Sequence, residues 1–563
     1  MDTGYLSADR IPDVKESSTS RTNLFYVCVA LLLIIWFSGL GHRDLVEPDE
    51  GRYAEIPREM VSSGDWTTPR LNDLKYFEKP ALQYWLTAAS YEVFGYSNAS
   101  ARLWIALASF ACAAFMGFLG LRLYGRDVGR YSFLLTASTV LFAGAGHYLT
   151  LDMTLTLFMT LGVGCPILAM RPGISPQAKR NWMLAGWAAL AFAVLSKGLI
   201  GVVLPGAALV GYLLWQRDWK LIQDLHPVKG ILLFLLVCAP WFIEVSRQNP
   251  EFFHFFFIRE HFERYTTNVH HREGPVYYFL GVFIIGVLPW LVTSAKSVLF
   301  PRFSWGSSKE NGFDTEKFIW LYIAITFIFF SLGHSKLPAY ILPIFPFVAL
   351  LAAKRLSVDK VVKGDAWVML VTAVLAFVLA MLGPHFASEK NPAALFIAYR
   401  PWLIGAALSL GLGAFALLKW KRKPSTAIPV ASVCATLCTM LFLWGFQSIA
   451  VSRSSADEAK AIMSYADDST PIYAIDNYPQ ALPFYLERPI TLVSYTGELK
   501  MGIEAEPQKY IATKAEFWKK WNTQRQAVAV IRADEKEDFL AKGKDTEIIY
   551  EGPRRIVMAK QLK

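Results

Sequence analysis

Apolar residues in this chain come as long unbroken runs, separated by shorter polar or charged intervals. Thirteen runs stand out, at 24–41, 99–122, 130–147, 150–170, 182–196, 199–215, 230–247, 276–299, 317–333, 338–354, 365–383, 402–418 and 427–446. A hydrocarbon core about 30 Å thick takes about 20 apolar residues of helix to cross. The runs are therefore expected to be membrane-spanning helices. A shorter stretch, 81–95, mixes aromatics with Gln83 and Glu92 and is expected to lie along the interface as a helix. Residues 56–61 read as a short surface helix, and 66–80, with two prolines, as an irregular segment.

After residue 446 the pattern changes. Residues 472–475, 490–495, 528–532, 547–550 and 556–559 read as strands, and 455–466 and 515–521 as helices. Their alternation predicts a small α/β domain. The expected organisation is an N-terminal cytoplasmic tail, 1–23, a transmembrane region, 24–446, with large external loops at 42–98 and 248–275, and a soluble external domain, 447–563. The fold class is an α-helical polytopic membrane protein with a C-terminal α/β domain.

Composition agrees with that class: 54% of the 563 residues are hydrophobic, against about 45–50% in soluble domains. The net charge of +10 alone would admit a nucleic-acid partner. Its distribution argues for a membrane instead. Lys and Arg gather in alternate short loops, as at Arg122, Arg126 and Arg130, or Lys419, Lys421, Arg422 and Lys423. This positive-inside pattern puts the N-terminus in the cytoplasm and residues 42–98 and the C-terminal domain outside. The six cysteines all fall within apolar runs, so no disulfide framework is indicated. The polar leader and first run resemble a retained signal anchor.

Charge that does not fit a membrane chain marks the candidate chemistry. Val46-Glu-Pro-Asp-Glu-Gly-Arg-Tyr-Ala-Glu55 follows the first run directly, with Asp49, Glu50 and Arg52 in it. Asp152 stands at the head of the fourth run. Acids beside hydrocarbon are costly and usually line an aqueous or ligand cavity. One role for such an acid is to orient or deprotonate a nucleophile attacking a sugar's anomeric carbon; the plain alternative is a helix cap or a partner for Arg52. Arg52, Lys79, Lys197, Arg264 and Lys336 are candidate anion ligands. Snorkelling explains Lys197 and Lys336 easily, but Lys79 less well, since Glu78 and Pro80 flank it. Tyr53, Tyr76, Tyr84 and Tyr340 suit a head-group pocket, with Tyr84 better explained as an interfacial anchor. Glu78 and His261 are the best contributors to a divalent metal, although the spacing matches no zinc motif. No cofactor is firmly implied.

The stretch Pro48-Asp-Glu-Gly-Arg-Tyr-Ala-Glu55 resembles the first-loop signature of polyprenyl-phosphate-dependent GT-C glycosyltransferases. The nearer resemblance is to the lipid A 4-amino-4-deoxy-L-arabinose transferases and their protein O-mannosyltransferase relatives. Supporting stretches are Tyr76-Phe-Glu-Lys-Pro-Ala-Leu-Gln-Tyr-Trp85, Leu151-Asp-Met-Thr-Leu-Thr156, Arg259-Glu-His-Phe-Glu-Arg-Tyr265 and Ser335-Lys-Leu-Pro-Ala-Tyr-Ile-Leu-Pro343. The resemblance implies a GT-C fold and an inverting transfer of aminoarabinose from undecaprenyl phosphate to a lipid A phosphate. It places that transfer at the periplasmic face of a bacterial inner membrane. Capping the phosphate with an amino sugar would lower its attraction for cationic peptides such as polymyxin. Asp49 and Asp152 map to the family's two acids. Arg52, Lys79 and Arg264 map to the carrier and acceptor phosphate contacts, with Tyr53, Tyr76 and Tyr340 nearby. Two alternatives remain: a protein O-mannosyltransferase-like enzyme using another prenyl-linked sugar, and a transporter of such a lipid. The transporter reading predicts mid-span polar groups and repeated, broken helices, whereas the runs here are clean and show no repeat.

Overall fold

The computed structural model describes residues 14–263, 274–303, 305–306, 312–543 and 545–561, with side chains at all of these except 14–21, 260–263 and 561. Each of the thirteen apolar runs is helical. Among the described residues, eight helices are long and apolar enough to cross a membrane, from Asn98–Tyr124 to Pro424–Arg453; Thr22–Phe37 and Ile200–Gln216 are shorter apolar helices. Two expected single spans are broken. The run 130–147 divides into Arg126–Ser138 and Val140–Ala145, and 276–299 into Tyr278–Gly286 and Leu291–Leu299. In the second case Pro289 lies in the gap, where its missing N–H would interrupt the helical hydrogen bonds.

The first large loop is more ordered than its polarity suggested. Its helix begins at Asp49 and runs to Ser63, instead of covering only 56–61, and most of it is buried. Asp49 and Glu50 in the first turn suit the positive end of the helix dipole. Gly64, at φ 73°, ends it with its N–H donated to Met60 O at 3.0 Å, a left-handed stop that glycine adopts without strain. The segment expected to be irregular holds a small antiparallel hairpin, β1 (Arg70–Leu71) and β2 (Leu74–Lys75). The interfacial helix is Leu82–Phe94. Its Tyr84 is fully buried, so it does not serve as an interfacial anchor.

The C-terminal region is a six-stranded mixed sheet. Its strands are β3 (Ile472–Ile475), β4 (Thr491–Val493), β5 (Tyr510–Ile511), β6 (Gln526–Arg532), β7 (Thr546–Glu551) and β8 (Arg555–Gln561), in the order β5-β4-β3-β6-β8-β7. The first four run parallel, and β8 pairs antiparallel with β6 and β7. The two-residue β5 is too short to carry an alternating pattern, and sequence reading missed it.

This sheet domain sits on the first loop through buried polar contacts. Asn72 Nδ2 donates to Ile490 O and its Oδ1 accepts from Ile490 N, both at 2.8 Å. Arg58 Nη1 donates to Glu487 O at 3.0 Å, and Arg70 pairs with Glu506 at 3.0 Å. Glu47 receives Arg555, Ser455 Oγ and the Ala481 N–H. The tightest approach is at Gly51, where an added Cβ would lie 2.5 Å from Ala481 N and 2.7 Å from Gln480 C. Gly51→Ala is therefore expected to lower the thermal unfolding midpoint, by an overpacking cost of about 1–3 kcal/mol, and to lower activity with it. A detergent-solubilised variant melting like the parent would show that this interface yields.

Candidate active site

Of the acids between Val46 and Glu55, three are neutralised inside the protein. Glu47 is held by Arg555. Glu50 is fully buried between two guanidinium groups, Arg43 and Arg102, and also accepts from the N–H groups of Val46 and Leu149 at 3.0 Å each. Burial by itself would raise Glu50, but Arg102 and Arg43 outweigh it and hold the carboxyl down at about 2. Glu55 takes both forks of Arg58 at 2.7 Å. Its neighbour Glu59 is pushed well up, by burial first and Glu55 second, against the Asp73 N–H and Arg58. Asp49 differs. Its side chain is 39% exposed, its nearest cation is Arg52 at 3.8 Å, and no hydrogen bond among the described residues uses its carboxylate. The chain thus leaves one acid of this stretch facing outward on an immobilised helix end.

Arg52 lies one turn along the same helix. Its Nη1 donates to Tyr76 Oη at 3.2 Å and its Nε to Gln480 Oε1 at 3.3 Å, and Glu498 stands 3.7 Å away. Gln480 in turn donates to Glu498. Both come from the sheet domain, from the segments that follow β3 and β4. In open α/β sheets, the carboxyl ends of parallel strands are the usual place for ligand-facing residues. Tyr53 stacks on buried Tyr84 with centroids 6.2 Å apart and the Arg52 guanidinium 5.9 Å from its own ring. Burial foremost, then Tyr84, with Asp49 and Asp152 adding to it, pushes the Tyr53 hydroxyl well up, while Arg52 opposes them. Tyr53 therefore stays a neutral donor, and both candidate acids fall within electrostatic reach of it.

Beside this cluster is a cavity of about 140 Å³. Glu78, Lys79, Lys197 and Tyr340 form its polar rim; Leu155, Met159, Ile200, Leu204 and Phe330 form its wall. Asp152 opens the helix Asp152–Ala169 and accepts from Lys197, whose ammonium lies 4.6 Å from the centre of the Tyr340 ring. Lys79 Nζ donates to Glu78 O at 2.7 Å. The arrangement provides a greasy slot with cations at its mouth and a partly exposed carboxylate in the adjoining cluster, which suits a phosphate carrying an apolar tail.

The structure thus gathers Asp49, Arg52, Tyr53, Tyr76, Lys79, Asp152 and Tyr340, with Glu78 on the cavity rim. Arg264 and the side chain of His261 lie outside the described residues. Two cations read as snorkelling have other partners. Lys197 meets Asp152. Lys336 donates to the carbonyls of Ser331 and Gly333 at 2.8 and 2.7 Å, closing the end of helix Thr315–Leu332. Gln480 and Glu498 were not anticipated, because a polar pair more than 400 residues from Arg52 leaves no local pattern; Arg43 and Arg102, 7 and 52 residues from Glu50, carry no spacing that marks them as its partners. Among the described residues, no three His, Cys, Asp or Glu side chains converge as a metal site would require.

Comparison with known proteins gives the relatives of this chain. Residues 458–560 match the model described as "Aminoarabinose transferase C-terminal domain", and residues 22–256 match "Dolichyl-phosphate-mannose-protein mannosyltransferase". An undecaprenyl phosphate-alpha-4-amino-4-deoxy-L-arabinose arabinosyl transferase from Shewanella sediminis is 29% identical over 95% of this chain and its own full length. One of the same description from Erwinia tasmaniensis is 32% identical over 64% of each chain. The crystal structure of ArnT from Cupriavidus metallidurans bound to undecaprenyl phosphate superposes with a TM-score of 0.89, at 34% identity, over 96% of this chain and 98% of that one. With one solved ArnT matched over nearly its whole length and the C-terminal domain matched by its own model, this chain belongs to the ArnT family of aminoarabinose transferases, GT-C glycosyltransferases of the membrane.

Proposed function

We propose that this protein transfers 4-amino-4-deoxy-L-arabinose from undecaprenyl phosphate to a phosphate of lipid A, at the periplasmic face of the inner membrane. One observation carries the reading: an apolar cavity rimmed by Lys79 and Lys197, with the partly exposed Asp49 and its neighbour Arg52 in the adjoining cluster, in a chain 34% identical to an ArnT bound to undecaprenyl phosphate. In the proposed step an acceptor phosphate oxygen attacks the anomeric carbon. The bond from that carbon to the donor phosphate breaks, its electron pair leaves with undecaprenyl phosphate, and configuration inverts. A phosphate monoester with a second pKa of about 6 is already nucleophilic near neutral pH and keeps part of its population as the monoanion, so Asp49 orients the attacking group by accepting its P–OH and takes that proton as the new bond forms. Lys79 and Arg52 stabilise the charge gathering on the departing phosphate. Asp152 fixes Lys197 at the cavity mouth. Glu498 and Gln480 hold Arg52 from above.

The geometry also supports the sidedness. The cavity and the sheet domain occupy one end of the bundle. The basic loops lie at the other: helix Thr315–Leu332 and the segment 338–359 lead from Phe330 and Tyr340 at the cavity to Trp320 and Arg355 at the far end. Reporter fusions at residue 49 and in the sheet domain are expected to report the periplasm.

The direct test is the mass of lipid A from cells with and without this chain. An added aminoarabinose is expected only with it; an unchanged mass defeats the acceptor and sugar assignment. Labelled donor recovered in protein rather than lipid would favour the O-mannosyltransferase-like alternative. Lys79→Ala is expected to lower transfer about 100-fold, the cost of removing one donor to developing charge, measured in membranes supplied with lipid A and prenyl donor. An unimpaired rate would remove Lys79 from the phosphate site.

A further inference from the structure

We propose that a second lipid site, for the phosphodiester head of an anionic phospholipid, lies at the end of the bundle opposite the active site, between Arg302 and Arg355. A cavity of about 70 Å³ opens there among the ends of Leu291–Leu299, Thr315–Leu332 and Phe345–Asp359, with Arg302, Lys354, Arg355 and Trp320 in its lining. Asp359 fixes both guanidinium groups. Arg302 Nη2 donates to its two oxygens at 2.7 and 3.0 Å, and Arg355 Nε donates at 3.3 Å. Arg355 Nη1 is spent on the carbonyls of Lys296 and Phe300, at 2.6 and 3.0 Å. Among the described residues nothing accepts from Arg302 Nε or Nη1, or from Arg355 Nη2.

Held guanidinium groups with N–H edges to spare are suited to phosphate oxygens. Local charge favours an anion as well. Lys354 pairs with Glu316, and around the cavity four cations (Arg302, Lys317, Lys354, Arg355) meet three acids (Asp314, Glu316, Asp359), an excess of one. The surroundings select a lipid over a free anion. Leu299, Phe300 and Val358, 64–70% exposed, stand beside the guanidinium groups, and acyl chains would cover them where inorganic phosphate would leave them bare. Basic pockets between spans at the cytoplasmic side are characteristic sites for acidic head groups.

Native mass spectrometry of the full chain in detergent tests this, with phosphatidylglycerol, phosphatidylcholine or inorganic phosphate added. One phosphatidylglycerol is expected to be retained, and phosphatidylcholine released. Arg302→Gln is expected to weaken retention about fivefold, the contribution of one basic residue at a membrane surface, and Arg302→Lys to restore part of it. Transfer activity should be unchanged in both variants, since Arg302 has no part in the active site. Equal retention by Arg302→Gln, equal retention of phosphatidylcholine, or displacement by millimolar inorganic phosphate would each overturn the site. If Arg302→Gln unfolds, the competition between the two lipids on the parent chain decides alone. None of these outcomes bears on the transfer reaction.

Discussion

Asp49→Asn is expected to lower transfer about 1,000-fold while leaving the folded protein intact. The side chain is partly exposed, bonds to nothing among the described residues, and lies 3.8 Å from its nearest cation, so the amide costs the fold little. What it removes, in the proposed reaction, is the carboxylate that orients the incoming nucleophile. Positioned acid–base groups contribute typically 10²–10⁴-fold, and alignment of the reacting atoms adds to that. The measurements are the rate in membranes with lipid A and prenyl donor, and the melting midpoint of the purified variant. Activity near the parent's would dismiss Asp49 from the reaction, and a collapsed midpoint would make its role structural.

The adjacent substitution, Glu50→Gln, is expected to do the opposite: little folded protein, with activity lost as a consequence. Glu50 is fully buried and neutralises Arg43 and Arg102 together. Removing one partner of a buried ion pair costs about 3–5 kcal/mol because the other charge is stranded, and here two guanidinium groups would be stranded. A stable, monodisperse, inactive Glu50→Gln would instead make Glu50 a chemical group. The pair also predicts an acid limb. The folded carboxyl is held at about 2 against an ordinary 4.5, so its contribution is complete above 4.5 and is lost as pH falls towards 2. Parent stability should fall through that window, and any Glu50→Gln that can be purified should show a flatter profile.

These neighbouring residues show what a one-dimensional reading can reach. Asp49 and Glu50 look alike in sequence, both acids at the end of an apolar run. Their difference is set by Arg43 on one side, Arg102 fifty residues on, and the way the helix start is turned. The membrane helices were legible because hydrocarbon imposes a length and a composition that need no tertiary information. The breaks at Thr139 and Pro289 were not, since a broken run is as apolar as a continuous one. The same limit applies to the site. Arg52 and Lys79 were legible as cations at a polar–apolar boundary. The bracing of Arg52 by Gln480 and Glu498 was not, because it depends on a sheet domain folding down onto the first loop.

That docking has a consequence for how the molecule is made. Glu47, Asn72 and Arg52 leave the ribosome more than 400 residues ahead of Ser455, Ile490 and Gln480. At about 5–20 residues per second, the first loop waits on the order of 20–80 s for its partners. Through that interval Glu47 lacks the Arg555 and Ser455 contacts that later quench it. Assembly of the reaction centre is therefore among the last events of biogenesis, and a chain truncated before residue 480 would carry its acids and cations without a working arrangement of them.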